Sequence, residues 1–126
     1  MSKLSKAYAL IIGVGNDLPT TVLDATAIYN ILVNEELAGY PEENIILLTE
    51  DKATRQGILS GFDELILKID EDASVMLFYS GHGGFYEPWN QFYLVPNDFD
   101  ADDYDTTWIT AEELKEKINK INSRRL

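Results

Sequence analysis

The sequence of 126 residues contains no cysteine and a single histidine. Without cysteine, these residues can form no disulfide, no thiolate metal site and no thiol nucleophile. One histidine also argues against catalytic zinc, because such a site takes three protein ligands and histidine is the commonest of them. These absences disfavour disulfide-stabilised secreted domains and zinc enzymes.

Basic residues are scarce, with 10 Lys and Arg against 22 Asp and Glu and a net charge of −12. Such a surface repels nucleic acid and anionic membranes, so we expect neither as a partner and favour basic peptides or divalent cations. No apolar run approaches the roughly 20 residues of a membrane span. Residues 7–14 are too short for a signal peptide, and we therefore expect a cytoplasmic protein.

The length suits one domain over residues 1–126, in which apolar runs alternate with helical patterns. This alternation predicts an α/β fold with a mostly parallel central sheet and helices on both faces. The predicted elements are strands at 7–14, 44–49 and 73–79, helices at 21–37 and after the cap Thr54, a short strand or hairpin arm at 91–95, and a last helix opened by a Thr110–Glu113 capping box.

Two of the predicted strands end in unusual loops, at residues 13–17 and 80–84. Ligands of such folds bind beyond the carboxyl ends of the strands, and these loops meet if the first and third strands are neighbours. The second loop reads Ser80-Gly-His82-Gly-Gly84. Its glycines let the chain turn sharply and let a substrate approach, and an imidazole there can act as general base or acid. The alternative is an ordinary glycine turn with an exposed histidine.

Gly13-Val14-Gly15 could begin a phosphate-binding loop of a flavodoxin-like domain, but Leu18 stands where the third glycine is needed.

An acidic loop is predicted at residues 97–105, after the short strand at 91–95. Carboxylates this dense could share calcium, although the EF-hand spacing is absent and a solvated loop is the simpler interpretation. Five aromatic residues after the histidine either pack beneath a loop or wall a cleft: Phe85, Tyr86, Trp89, Phe92 and Tyr93.

Several blocks together resemble the large-subunit region of caspase-like cysteine peptidases, and most of all the prokaryotic metacaspase-like branch. The blocks cover nearly the whole chain in the family's order: residues 9–14 with Asn16-Asp17, 23–25, 39–45, 48–49, 78–83, 93–96 and Asp98. The block Tyr79-Ser-Gly-His-Gly83 after an apolar strand is the most specific. The resemblance implies the caspase–hemoglobinase three-layer α/β sandwich and a cysteine–histidine dyad.

By this resemblance, His82 would activate the thiol and then protonate the leaving amine, and the Gly83 backbone N–H would face the oxyanion. Asp24 and Ser80 match positions that line the primary specificity pocket of metacaspases, where an acidic residue selects Arg or Lys. From position alone, Asp24 could equally be a carboxylate favoured by a helix N-terminus. Calcium-activated metacaspases bind the ion through aspartates after the histidine block, but this acidic loop is shorter than their usual pattern, so we expect no cofactor and keep calcium only as the alternative.

The family's cysteine lies on the next strand, in an Asp-x-Cys motif that the 126 residues do not contain. We therefore expect this chain to be inactive alone and to need a C-terminal cysteine-bearing segment as its partner. The sequence leaves open a truncated form, a fragment of a processed enzyme and a natural half-domain. A non-catalytic caspase-like module that binds or regulates another protein is the alternative function.

Overall fold

The computed structural model describes residues 5–15, 19–123 and 126. Three parallel strands form the central sheet in the order β2-β1-β3, with β1 at Ala7–Gly13, β2 at Ile45–Thr49 and β3 at Ser74–Ser80. The middle strand is buried almost throughout, as its continuous apolar sequence predicts for a strand covered on both faces. The predicted α/β fold with a parallel central sheet is confirmed.

Helices cover both faces of this sheet. Helix α1 (Pro19–Val33) packs on the face that carries Ala9 and Ile11, whereas α2 (Arg55–Lys68) and α4 (Ala111–Asn119) cover the face that carries Leu10 and Ile12. Each fully buried Leu or Ile side chain contributes roughly 1.5–3 kcal/mol to folding. The alternation along β1 therefore supplies one apolar core to each face and produces the expected three-layer sandwich.

A small antiparallel sheet follows the central one. Strand β4 (Gly83–Tyr86) forms a hairpin with β5 (Gln91–Leu94), and β5 then pairs with β6 (Ile109–Thr110). The short helix α3 (Tyr104–Thr107) begins in the last two residues of the segment predicted as an acidic loop, and Gly83 and Gly84, predicted as loop, begin a strand. Single 3-10 turns lie at Glu42–Asn44, Glu50–Lys52, Glu87–Trp89 and Ala101–Asp103.

The helix ends agree with the sequence signals at two places and differ at one. Thr54 caps α2 by accepting the Gly57 N–H, and the predicted capping box opens α4. The end predicted for α1, near residue 37, is wrong, because the helix stops at Val33. The carbonyl of Asn34 accepts the N–H groups of both Leu37 and Gly39, which forms a turn instead of a further helical turn.

None of the described helices combines the length and the apolar character that crossing a membrane requires.

Candidate active site

The carboxyl ends of β1 and β3 lie side by side. Gly13 is the register partner of Ser80, and the Val14 N–H donates to the Ser80 carbonyl at 2.9 Å. The segments that follow these strands therefore start from one place, and the condition that the sequence analysis set for the two loops to meet, adjacent first and third strands, is fulfilled. Of the first segment, residues 16–18 lie outside the described residues.

Tyr79 and Gly81 fix the path of the chain between β3 and His82. The Tyr79 hydroxyl donates to the His82 carbonyl at 2.8 Å, with the Val95 carbonyl at 3.4 Å as a second acceptor. A Cβ at Gly81 would lie 2.8 Å from that hydroxyl and 3.1 Å from the Cβ of Val14. A side chain at position 81 would therefore displace the Tyr79 hydroxyl, and glycine avoids this contact.

Burial raises the pKa of Tyr79 to about 12, and the hydrogen bond to Val95 only partly opposes this effect. The phenol therefore stays protonated, and remains a donor, throughout the physiological pH range. Because its acceptor is the carbonyl of His82, Tyr79 anchors the backbone of the candidate catalytic residue. The sequence shows Tyr79 only as a strand residue, and a tyrosine three positions before the histidine is the signal that could have revealed the anchor.

The backbone of the hairpin determines where the Gly83 N–H points. The Val95 N–H donates to the His82 carbonyl at 3.1 Å, and Gly83 is the register partner of Leu94. Antiparallel pairs alternate between hydrogen-bonded and non-hydrogen-bonded, so Gly83 and Leu94 form a non-hydrogen-bonded pair. The Gly83 N–H therefore points away from β5. His82 and Gly83 are both solvent-exposed, so a ligand can reach them.

The two candidate specificity residues lie near this point on different elements. Ser80 is the last residue of β3 and is half-buried. Asp24 is exposed on α1 next to the buried Ala25, whose Cβ would lie 2.7 Å from a Cβ at Gly13. Asp24 occupies the second turn of the helix, whereas the dipole acts mainly within the first. This placement weakens the helix-dipole explanation for Asp24. The roles of His82, Gly83, Asp24 and Ser80 stay predictions.

Two carboxylates of the acidic loop, those of Asp98 and Asp100, are engaged in local structure. Asp98 accepts the Arg55 N–H at 2.9 Å at the start of α2, and Asp100 accepts the Asp102 N–H at 2.9 Å. Within the described ranges, no three acidic or histidine side chains gather as ligands for a metal ion. The residues of this loop therefore do not fit the oxygen-rich cage that calcium requires.

The two faces of the β4–β5 hairpin divide the aromatic residues between packing and exposure. On one face, Tyr86 and Tyr93 pack against the buried Trp108 with ring centroids 5.9 and 5.1 Å away. On the other face, Phe85 and Phe92 are exposed. The aromatic residues of the first face therefore pack as the sequence analysis proposed in one alternative. Those of the second face are exposed, as its other alternative, the wall of a cleft, requires. Trp108 at the centre of the cluster was missed because it is distant in sequence.

An ion pair that the sequence analysis missed joins α2 to α4. Arg55 binds the Glu113 carboxylate and donates from Nε to the Trp108 carbonyl at 3.0 Å. The loop after β5 is held on the same side, since the Asn97 N–H donates to the Ala53 carbonyl at 2.8 Å. These contacts fix the hairpin that follows His82 against the helical layer.

Comparison with known proteins agrees with this arrangement. Residues 6–122 match the caspase domain. This chain belongs to the caspase-domain family. Two similar proteins are named Metacaspase-1, from Saccharomyces cerevisiae strains YJM789 and S288c, each 34% identical over 87 residues that cover 60% of this chain and 20% of theirs. Metacaspase-1 of Eremothecium gossypii is 33% identical over 87 residues, covering 60% of this chain and 19% of its own.

The match establishes a caspase-like domain of a proteolytic family, as the resemblance implied. The caspase-domain chain spans about one fifth of the length of these curated relatives. Its 126 residues include the histidine block but no cysteine. The cleavage specificity, the source of the nucleophile and the cytoplasmic location stay predictions.

Proposed function

We propose that this caspase-domain chain is the histidine-bearing part of a cysteine endopeptidase that cleaves after Arg or Lys. The observation that carries the proposal is the position of His82: exposed, directly beyond the carboxyl end of β3, and held through its carbonyl by Tyr79. Membership of the caspase-domain family supplies the reaction class.

In the proposed reaction, the His82 imidazole takes the proton of a cysteine thiol, and the thiolate attacks the scissile carbonyl. The imidazolium then gives this proton to the leaving amine, and water hydrolyses the thioester. The Gly83 N–H points away from β5 and donates to the negatively charged carbonyl oxygen. Since the 126 residues contain no cysteine, the chain alone cannot form the thioester.

The cysteine is proposed to arrive on a strand that pairs with the free edge of β3. Among the described residues, β3 pairs with β1 only. An apolar cavity of about 150 Å³ lies along this strand, with Leu77, Phe78 and Tyr79 in its lining. A further parallel strand there would end beside Ser80, and a residue following that end would lie next to His82.

The preference for Arg or Lys is proposed to come from Asp24 with Ser80. A carboxylate forms strong, bidentate hydrogen bonds with a guanidinium group, Asp24 is exposed and open to such a side chain, and the net charge of −12 attracts basic peptides. The helix position of Asp24 supports this role over capping.

The test is hydrolysis of Arg and Lys peptides by the natural product of the gene, in which any cysteine-bearing segment is present. We expect His82→Ala to abolish turnover without lowering the melting temperature by more than a few degrees, because the side chain is exposed. Asp24→Asn should reduce cleavage after Arg at least tenfold, whereas Glu112→Gln, a matched exposed carboxylate on α4, should not. Normal turnover by the His82 variant would disprove the dyad.

One fact favours a second candidate, a non-catalytic caspase-like module that binds or regulates another protein: the sequence contains no cysteine. This candidate requires peptide binding without hydrolysis in the natural gene product. The same assay distinguishes the two functions, because hydrolysis that depends on His82 excludes the module.

A further inference from the structure

An apolar groove of about 500 Å³ opens between the β4–β5 hairpin and α4, and its lining reaches Gly83, the residue that follows His82. Its lining consists of hairpin residues and the first turns of α4: Gly83, Gly84, Phe85, Phe92, Tyr93, Leu94, Ala111 and Leu114. Protein pockets that hold small ligands measure roughly 300–1,000 Å³. The groove is therefore large enough for one or two bulky apolar side chains.

Two large apolar side chains stay exposed where they border the groove. Phe85 and Phe92 are cross-strand partners with ring centroids 4.6 Å apart, and 44% and 63% of their surface is exposed. Other exposed apolar side chains, such as Leu23 and Leu67, belong to helices and are not part of such a pair. Contiguous apolar surface of this kind marks a binding site more often than scattered single residues do.

The position of Gly83 connects this groove to the proposed reaction. Gly83 lines the groove and is also the proposed donor to the reacting carbonyl oxygen. Extended chains advance about 3.3 Å per residue, so a substrate residue one or two positions from the scissile bond lies roughly 3–7 Å from the reacting carbon. Phe85 comes two residues after Gly83 on β4, so it lies at a similar distance from Gly83 along the hairpin.

The two faces of the sheet determine which side of the scissile bond the groove serves. Asp24 is on α1, which packs on the face that carries Ala9 and Ile11. Leu94 and Leu114, which line the groove, pack with the core of the opposite face. The proposed basic-residue pocket and the groove are therefore on opposite sides of the segment that carries His82.

We infer that this groove is a second specificity pocket, which holds an apolar side chain of the substrate just after the cleaved bond. The inference rests on the proposed function, since the basic residue at Asp24 defines the side before that bond. The preferred substrate is then a peptide with Arg or Lys followed within two positions by a bulky apolar residue, such as Phe or Leu.

The inference is tested with four labelled peptides, in which Arg or Gln is followed by Phe or Ser. The dissociation constant of each peptide from this chain is measured, because binding needs no cysteine. We expect the Arg-Phe peptide to bind about tenfold or more tightly than Arg-Ser, as burial of a large apolar side chain implies. Phe92→Ser should abolish this ratio. Leu67→Ser, at a site 87% exposed on α2, should preserve it, and both variants should melt within a few degrees of wild type.

An unchanged Phe-to-Ser ratio in Phe92→Ser overturns the inference, whatever the result for Arg. A Phe92→Ser variant with a much lower melting temperature and an unchanged ratio also overturns it, because the groove is then covered by the protein itself. If the ratio depends on Phe92 but Arg and Gln peptides bind equally, the proposed specificity fails, and the assignment to the side after the bond fails with it. A ratio lost in Phe92→Ser together with an Arg preference lost in Asp24→Asn supports both proposals.

Discussion

Replacing Tyr79 with phenylalanine tests how the candidate catalytic segment is held. The change removes the hydroxyl that donates to the His82 carbonyl at 2.8 Å and leaves the ring in place. An intramolecular hydrogen bond contributes about 0.5–1.5 kcal/mol. The His82 carbonyl keeps a second donor, the Val95 N–H at 3.1 Å, and is not left unsatisfied. We therefore expect a loss of about 1 kcal/mol in the free energy of unfolding, or roughly 4 °C in melting temperature.

The pH dependence tests whether the Tyr79 hydroxyl is buried in its protonated form. The pKa of Tyr79 is raised from its ordinary value of 10.0 to about 12 by burial, so the folded protein retains this proton to higher pH than the unfolded chain does. The contribution of the protonated Tyr79 hydroxyl to the free energy of unfolding is fully present below pH 10 and is lost as the pH rises toward 12. The stability difference between wild type and Tyr79→Phe should therefore be constant from pH 7 to 9 and shrink above pH 10.

Urea denaturation at each pH measures this difference. Tyr8→Phe is the control, because it removes a phenol hydroxyl near the amino end of β1, five residues before Gly13. Equal stability of wild type and Tyr79→Phe at neutral pH would refute the anchoring hydrogen bond, and a stability difference that grows above pH 10 would refute the burial of the hydroxyl.

Three further substitutions test the contacts that support the site. Gly13→Ala should destabilise the protein by about 1–3 kcal/mol in urea denaturation, because its Cβ would lie 2.7 Å from the Thr21 carbonyl oxygen. Thr110→Ala should cost about 1 kcal/mol, since it removes the cap of α4, and Thr110→Ser should restore most of the loss. Arg55→Met should cost about 1–2 kcal/mol, and a double-mutant cycle with Glu113→Gln should show coupling, whereas additive losses would contradict a direct bond.

Local signals in the sequence were sufficient for most elements of the fold. Continuous apolar runs identify the three parallel strands, because strands covered on both faces need no polar side. Thr54 and Thr110 mark helix starts, since their hydroxyls accept backbone N–H groups three residues on. The pairing of β1 with β3 was expected only conditionally, because register between distant strands depends on tertiary packing.

Other features depend on contacts that no short stretch of sequence reveals. The end of α1 is set by the turn at Asn34, which competes with a helical pattern that continues to residue 37. The strand at Gly83 exists because β5 pairs with it, although glycine disfavours strands on its own. The ion pair of Arg55 with Glu113 joins residues 58 positions apart. The sequence indicates His82 as a candidate, whereas the anchoring role of Tyr79 depends on the turn of the backbone that brings the His82 carbonyl to its hydroxyl.

The free edge of β3 and the proposed active site occupy neighbouring parts of the molecule, and this proximity has a consequence under the proposed function. Among the described residues β3 pairs with β1 only, so a strand on its other side would add backbone hydrogen bonds and cover the apolar cavity beside Leu77 and Phe78. The same strand would bring the nucleophile to His82. Binding of the cysteine-bearing strand would then raise stability and create activity together, so a variant that weakens pairing at this edge should lose both in parallel. Loss of activity without loss of stability would instead locate the defect in His82, Gly83 or the thiol.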